Sequence, residues 1–435
     1  MQFASTRNSE INVPFSQAVL DCLPSDGGLY VPAYEDNLSQ WILYMNDQTS
    51  FSSIAGALTS ALIKEEFSPI ISEAIASRAF TFSPKLVQLD ENLFHLELFH
   101  GPTGSYKDFG ISYLASCLEH ILLMQEKEAI VLAHTTGSAG ASIAESFRGK
   151  KRLKAILLYS KGTMRGLDPA TFYWNGGNIY PVEIDGKQED CIKVLREIYS
   201  DKDLVKRYGL TLANTSNIGR LLPQTFFYVY AFSRLKKKVY GDIYYALSSA
   251  NYDNLVAGLY AWKFSLPVNG FVTDCTPSLG NNPAGSCEIT DSRIPLEKRG
   301  SSNPIVPANL ERLENVFSAS PAVMRGLVFP SEITPEDQKQ AAQELFTKYN
   351  ELVSPQTADA YAAVKKSPVC LADDDSATVL ISRNHPAFYS DSVKRMCGRA
   401  AELPENLEKL FVPNKVEKTI SPDRTAIINI LHEIK

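Results

Sequence analysis

Ala129-Ile130-Val131-Leu132-Ala133-His134-Thr135-Thr136-Gly137-Ser138-Ala139-Gly140 passes without a break from an apolar run into a turn of small and polar residues. Short, nearly continuous apolar runs mark strands buried on both faces. Ala155 to Leu158, Ile243 to Leu247, Val268 to Val272 and Thr378 to Ile381 repeat the pattern, with helical stretches between them. The alternation predicts an α/β fold with a parallel sheet between helices. Two of the later runs end as the first does, in Ser248-Ser249-Ala250-Asn251-Tyr252-Asp253-Asn254 and in Ser382-Arg383-Asn384-His385-Pro386. Ligands of open α/β sheets bind at the carboxyl ends of strands, where helix N-termini aim backbone amides at anions. Chemistry is therefore expected in these three loops.

The 435 residues are 44% apolar, 21% charged and 10% aromatic, which excludes a disordered or collagen-like chain. At roughly 150 residues per domain the length predicts two or three domains. Lysine and arginine total 43 against 49 acidic residues, a net charge of −6, and no basic run exceeds Lys236-Lys237-Lys238. Nucleic acid and anionic membrane surfaces are thus disfavoured as partners. Seven dispersed cysteines without a CxxC pair indicate neither a zinc cluster nor a disulfide framework, and they suit a reducing cytoplasm. The polar amino terminus and the lack of any run of roughly 18 apolar residues predict a cytoplasmic chain, neither exported nor embedded. Six histidines show no HxxxH or HxxEH spacing, so no protein-built metal site is expected.

Residues 1–95 read as a separate, mainly helical amino-terminal domain around the turn Pro24-Ser25-Asp26-Gly27-Gly28-Leu29-Tyr30-Val31-Pro32. Residues 96–395 read as an α/β region of two lobes, and 396–435 as a helical extension. Prolines at 277, 283, 295, 304 and 307 and glycines at 280, 285 and 300 make Thr276 to Asn309 too punctuated for regular structure. Such a stretch reads as a lid or as a surface excursion.

The sharpest local signal is Glu97-Leu98-Phe99-His100-Gly101-Pro102-Thr103-Gly104-Ser105-Tyr106-Lys107-Asp108-Phe109-Gly110, a glycine-rich turn that delivers one lysine into the apolar helix Ile111 to Leu123. Burial lowers a lysine's pKa, and a neutral amine condenses with aldehydes. Taken alone, the same spacing suits a solvated lysine at a helix start.

This segment resembles the E-L-F-H-G-P-T-x-x-F-K-D-F-G motif of threonine synthases, pyridoxal-phosphate enzymes of fold type II in which the lysine carries the cofactor. Further matches follow in the same order. Ser25 to Pro32 is similar to the family's D-G-G-L-F-x-P turn, Gly176-Gly177-Asn178-Ile179 to L-G-G-N-I, Ala213 to Gln224 to S-A-N-S-I-N-x-x-R-L-L-P-Q, and His385-Pro386-Ala387 to A-H-P-A. The resemblance implies two α/β lobes with parallel-rich sheets, pyridoxal 5'-phosphate on Lys107, and conversion of O-phosphohomoserine and water to threonine and phosphate by a monomer or homodimer. It implies that Lys107 also moves protons among the substrate carbons. Ser249, Ala250, Asn251, Tyr252, Asp253 and Asn254 correspond to the cofactor-phosphate loop, Thr136, Gly137 and Ser138 to the substrate loop, with Ser138 also beside the cofactor, and Arg383 to the position beside the pyridine nitrogen. Arg220 and Lys161 are candidates for the substrate's anionic groups, each equally readable as a surface ion pair.

Three loops depart from the family. Ser248 to Asn254 stands where the family has P-S-G-N-F-G-N. Alanine resists the positive φ that glycine allows, and Asp253 is expected to set a carboxylate near a phosphate unless it turns away. The plain alternative is an N-cap made by Ser249 or Asn251. Thr136 to Gly140 replaces S-G-D-T-G, with Ser138 and Ala139 in place of the acid and the hydroxyl. Arg383 to Phe388 replaces T-A-H-P-A-K-F, so an arginine that cannot accept a proton stands where a hydroxyl is expected; Ser382 supplies one if the register slips. These departures leave open a catalytically inert homologue, or a phospho-lyase that gives 2-oxobutyrate. His100 is expected to pack against the pocket, His134 has no assigned role, and Tyr30 and Tyr106 read as pocket lining or packing.

Overall fold

All five apolar runs lie in two sheets of the computed structural model, which describes residues 1–290, 295–318, 321–367, 370 and 375–435. The larger sheet has the order Val328–Ser331, Gly270–Asp274, Ile243–Ala246, Ala377–Ser382, Leu93–Glu97 and Lys85–Gln88, parallel except for the last pair. The second sheet runs Thr419–Ile420, Ile179–Ile184, Leu153–Ser160, Ala129–His134 and Leu210–Thr211, parallel throughout. Helices lie against both sheets and keep the central strands out of water, which is why Ile156, Leu157 and Leu158 are fully buried. Two strands that the apolar runs do not reveal contain proline. Pro330 lies on the edge strand of its sheet. Pro181 lies where the two-residue strand Thr419–Ile420, paired only at Glu183 and Ile184, no longer covers its neighbour. Neither proline removes a ladder hydrogen bond there.

The amino-terminal region holds the helices Phe15–Asp21, Ser39–Tyr44, Phe51–Leu62 and Pro69–Ala79. It adds a small antiparallel sheet of Val13–Pro14, Gln2–Ser5 and Tyr30–Pro32 that the sequence reading did not include. Its helices join the main core directly. Phe51 stands 5.2 Å from Phe109 and 6.3 Å from Phe227, ring to ring. The chain enters the larger sheet at Lys85, so residue 95 falls inside the strand Leu93–Glu97. At the other end, Thr419–Ile420 extends the second sheet, and the helix Arg424–Ile434, capped by Asp423, buries Ile427, Ile430, Leu431 and Ile434.

The stretch from Thr276 to Asn309 is more regular than its prolines suggest, because Leu279–Asn281 and Cys287–Ile289 pair as a hairpin. Its second half is tied down by Ser302 N–H to Gly27 O (2.7 Å), Arg7 to Gly300 O (2.8 Å) and Asn214 Nδ2 to Pro304 O (2.7 Å). All seven cysteines are free thiols. Among the described residues no helix is long and apolar enough to cross a membrane.

Candidate active site

Lys107 is the first residue of the helix Lys107–Met124. That helix start is built by Asp108, whose buried carboxylate accepts from Thr103 N–H (2.8 Å), Thr103 Oγ1 (2.5 Å) and Ser142 Oγ (2.7 Å). The turn before it pairs with the loop after Ala377–Ser382, through Tyr106 N–H to Arg383 O (2.7 Å) and His385 N–H to Gly104 O (2.9 Å). Two segments nearly 280 residues apart therefore meet at the lysine. The amine of Lys107 donates to Ser138 Oγ at 3.2 Å, at the start of the helix Ser138–Phe147. Burial, then the neighbouring cations Arg220 and Arg383, lower its pKa to about 8, against a smaller opposite pull from Asp253 and Asp108.

The amine faces a cavity of about 210 Å³ bounded by His134, Asn214, Thr215, Arg220 and Asn251, with Ile305 and Pro307 from the punctuated stretch on its rim. Arg220 is 2% exposed, and its Nη1 finds no hydrogen-bond partner among the described residues. It reaches this position past Gly110, where a Cβ would collide with the guanidinium and with the Arg220 carbonyl. Asp253 and Asp108 act on the guanidinium without a direct ion pair among the described residues, and a buried guanidinium with a free donor is a receptor for an anion. His134, whose Nε2 is also buried and unpartnered, has its pKa lowered by burial, so it is neutral near pH 7.

Asp253 turns its carboxylate inward, out of the loop 248–254. Its fully buried carboxylate accepts from Tyr106 OH (2.8 Å) and pairs with Arg383 (2.8 Å), with Gln224 Nε2 further off at 3.5 Å. Arg383 also meets the Tyr106 hydroxyl and lies 4.1 Å above the Tyr106 ring, while Arg220 stands 5.5 Å from the same ring. Burial pulls the Arg383 pKa down, but Asp253 and Tyr106 raise it above the ordinary value. The carboxylate expected beside a phosphate is thus spent on a guanidinium, and the two departures at 253 and 383 offset each other.

The loop itself keeps the backbone that its sequence resists. Ala250 has φ +39° and Tyr252 φ +62°, and the helix Asp253–Lys263 follows at once. Neither Ser249 nor Asn251 caps that helix; Tyr252 stands at its N-cap without a side-chain bond. Ser249 N–H is held by Asp274 (2.7 Å), whereas Ser249 Oγ is buried and without a partner among the described residues. An unpartnered hydroxyl in the turn before a helix suits a phosphate, and the buried amine of lowered pKa suits the aldehyde, of pyridoxal phosphate. We expect Ala250→Gly to relieve the backbone and raise the unfolding free energy by up to about 1 kcal/mol, measured by urea denaturation.

Other expectations divide. Gly137 and Ser138 stand at the turn before the helix Ser138–Phe147, where Thr135 Oγ1 holds Gly137 N–H (3.2 Å) and Gly140 N–H (2.8 Å); the Thr136 side of this turn is exposed. Lys161 does not join the site, because its exposed amine pairs with Asp185 at 2.8 Å. Arg165, four residues on, stands beside Gly137 instead, within 4 Å of where a Cβ would be. Ser382 cannot replace Arg383. Its hydroxyl is taken by His95 Nε2 (2.6 Å) and Thr357 Oγ1 (2.9 Å), behind the strand. His100 binds Glu97 at 2.6 Å. Sequence reasoning missed Asp108, Gln224 and Arg312, the last a fully buried guanidinium that ties Tyr30 O, Ser216 O and Asn309 Oδ1 together. Asp108 and Arg312 each have one partner nearby in the chain, Thr103 and Asn309, but the partners that give these residues their place, Ser142, Asn254, Tyr30 and Ser216, are distant or are backbone carbonyls that no local spacing signals.

Residues 2–80 match a family model described as the threonine synthase N terminus. The chain is 30% identical over 424 residues to the threonine synthase of Haemophilus influenzae, covering 94% of each, and 28% identical over 415 residues to that of Escherichia coli. The crystal structure of the Escherichia coli enzyme superposes with a TM-score of 0.78 at 26% identity over all of both chains. A pyridoxal-phosphate-bound threonine synthase from Brucella melitensis, 21% identical, has the same fold, with a TM-score of 0.81 over 100% of this chain and 99% of that one. Likeness of this length, continuous through the lysine turn and both sheets, places the chain in the threonine synthase family.

Proposed function

We propose that this chain is a threonine synthase that carries pyridoxal 5'-phosphate on Lys107 and converts O-phosphohomoserine and water to L-threonine and phosphate. The observation that carries the reading is the buried amine of Lys107, with a pKa of about 8, facing a cavity also lined by Arg220, whose Nη1 has no hydrogen-bond partner among the described residues. Bound pyridoxal phosphate supplies an electron sink that makes protons on neighbouring substrate carbons removable. The protein's own part is to bind, orient and move protons. Lys107 Nζ, close to half-protonated at about pH 8, both takes and returns a proton without a large free-energy step. Ser138 Oγ, 3.2 Å away, fixes where that amine points. Arg220 is the seat for a substrate anion, and the Asn214, Thr215 and Asn251 side chains supply neutral hydrogen-bonding groups around it. Ile305 and Pro307 restrict water at the rim.

The test is product analysis of the purified protein supplied with pyridoxal phosphate and O-phosphohomoserine. Threonine and phosphate in equal amounts are expected. Phosphate with 2-oxobutyrate instead of threonine would select the phospho-lyase reading, and no product with no cofactor absorbance would select the inert homologue. Within the threonine synthase reading, Arg220→Met is expected to lower kcat/KM by about 10²–10³-fold, the loss that follows removal of one preorganised charged donor. Cofactor absorbance stays intact in that variant.

A further inference from the structure

We infer that His95, Glu97 and Glu351 form a divalent-cation site of the zinc type, behind the larger sheet and apart from Lys107. His95 and Glu97 alternate with Phe94 and Leu96 along the strand Leu93–Glu97. Phe94 and Leu96 pack into the core that contains Phe109 and Tyr113 of the lysine helix, whereas Leu93 packs with Tyr361 and Leu380 on the other face. The strand's period of two puts His95 and Glu97 on that second face. Glu351 comes in from the segment that follows the helix Pro335–Tyr349.

One donor atom from each residue lies within 4.8 Å of the other two. His95 Nδ1 is 3.9 Å from Glu97 Oε1 and 3.7 Å from Glu351 Oε2. A tetrahedral ion with bonds of about 2.1 Å holds its ligands about 3.4 Å apart, so the two histidine–acid sides close by about 0.3–0.5 Å and the acid–acid side, within 4.8 Å, by up to about 1.4 Å around a metal.

The second observation is the ring itself. His95 is 1% exposed, and its Nδ1 has no hydrogen-bond partner among the described residues although it points between two carboxylates. Its Nε2 is fixed by Ser382 Oγ at 2.6 Å, and that hydroxyl is fixed in turn by Thr357 at 2.9 Å. Such an outer hydrogen bond is how metal-binding imidazoles are oriented. Neither acid is within hydrogen-bond length of Nδ1. The neighbouring side chains do not enter the triangle either. His100 (2.6 Å) and Lys85 (3.7 Å) both address Glu97 Oε2, the carboxylate oxygen turned away from the triangle. One imidazole nitrogen and two carboxylates therefore converge in a largely buried place without a hydrogen bond among the three. One imidazole nitrogen and two carboxylates suit zinc or a similar first-row ion better than magnesium or calcium, which take all-oxygen sets. Helical spacing rules miss the trio, since it combines an i, i+2 pair on a strand with a glutamate more than 250 residues away.

The occupied site would clamp the strand that leads into the lysine turn to the 350–354 segment. The test is calorimetric titration of Zn²⁺ into cofactor-loaded, chelator-treated protein, followed by thermal denaturation. One Zn²⁺ per chain is expected, with a rise in Tm. His95→Gln and Glu351→Gln are each expected to weaken binding by at least about tenfold, with cofactor absorbance unchanged. Glu351 is only half-buried, so Glu351→Gln decides if His95→Gln fails to fold. Co²⁺ in place of Zn²⁺ should show no thiolate charge-transfer band, which separates this site from the free cysteines. No uptake, uptake unaltered by Glu351→Gln, or a thiolate band would each overturn the inference.

Discussion

Replacing Lys107 with alanine is expected to lower the rate of threonine formation by at least about 10³-fold, because one residue loses both the cofactor anchor and the proton carrier. Added amines should not restore the rate fully, since the geometry set by Ser138 is lost with the side chain. The protonation state of the same amine gives a pH dependence with a definite sign. Only the neutral amine condenses with an aldehyde, and burial together with Arg220 and Arg383 places its pKa at about 8. Capture of pyridoxal phosphate by the cofactor-free protein, followed by stopped-flow absorbance, should accelerate as pH rises toward about 8 and level off above it. Arg220→Met removes a repulsive neighbour and should move that midpoint upward. A rate independent of pH between 6 and 9 would show that another group limits capture.

The largest stability effect is expected at Asp253. Its carboxylate is fully buried and compensates Arg383, whose side chain is 11% exposed. Asp253→Ala leaves the guanidinium in a low-dielectric setting with the Tyr106 hydroxyl as its remaining polar contact in the triad. Removing one partner of a buried pair costs about 3–5 kcal/mol, whereas replacing both with apolar groups is often close to neutral. Urea denaturation of Asp253→Ala, Arg383→Met and the double variant therefore forms a cycle. The double variant should be more stable than Asp253→Ala alone. If Asp253→Ala loses less than about 1 kcal/mol, the value of an exposed pair, the triad is not what holds this corner together.

The strands that read clearly from the sequence are those buried on both faces, such as Leu153–Ser160, where burial demands an unbroken apolar run. Leu93–Glu97 does not read as a strand because two of its buried positions are His95 and Glu97, where Ser382 from a distant strand holds one imidazole nitrogen and His100 and Lys85 meet one carboxylate oxygen. Lys107 is legible through the resemblance of its whole segment to a family motif, since the glycines, the helix start and the apolar helix after it equally suit a solvated lysine. Lys161 and Arg165 follow the same strand, and which of the two cations approaches Gly137 depends on how the chain turns between them. Asp253 and Arg383 were read as two separate defects in two loops. The fold pairs them across 130 residues, and no spacing in the sequence conveys a pairing of that range.

The account rests on one covalent attachment. The most direct test is borohydride reduction of the protein loaded with pyridoxal phosphate, followed by proteolysis and mass spectrometry of the peptides. The account predicts a stoichiometric pyridoxyl-phosphate adduct on the peptide that contains Lys107, absent after Lys107→Ala. An unmodified Lys107 peptide, or label distributed over exposed amines such as Lys161, would contradict it.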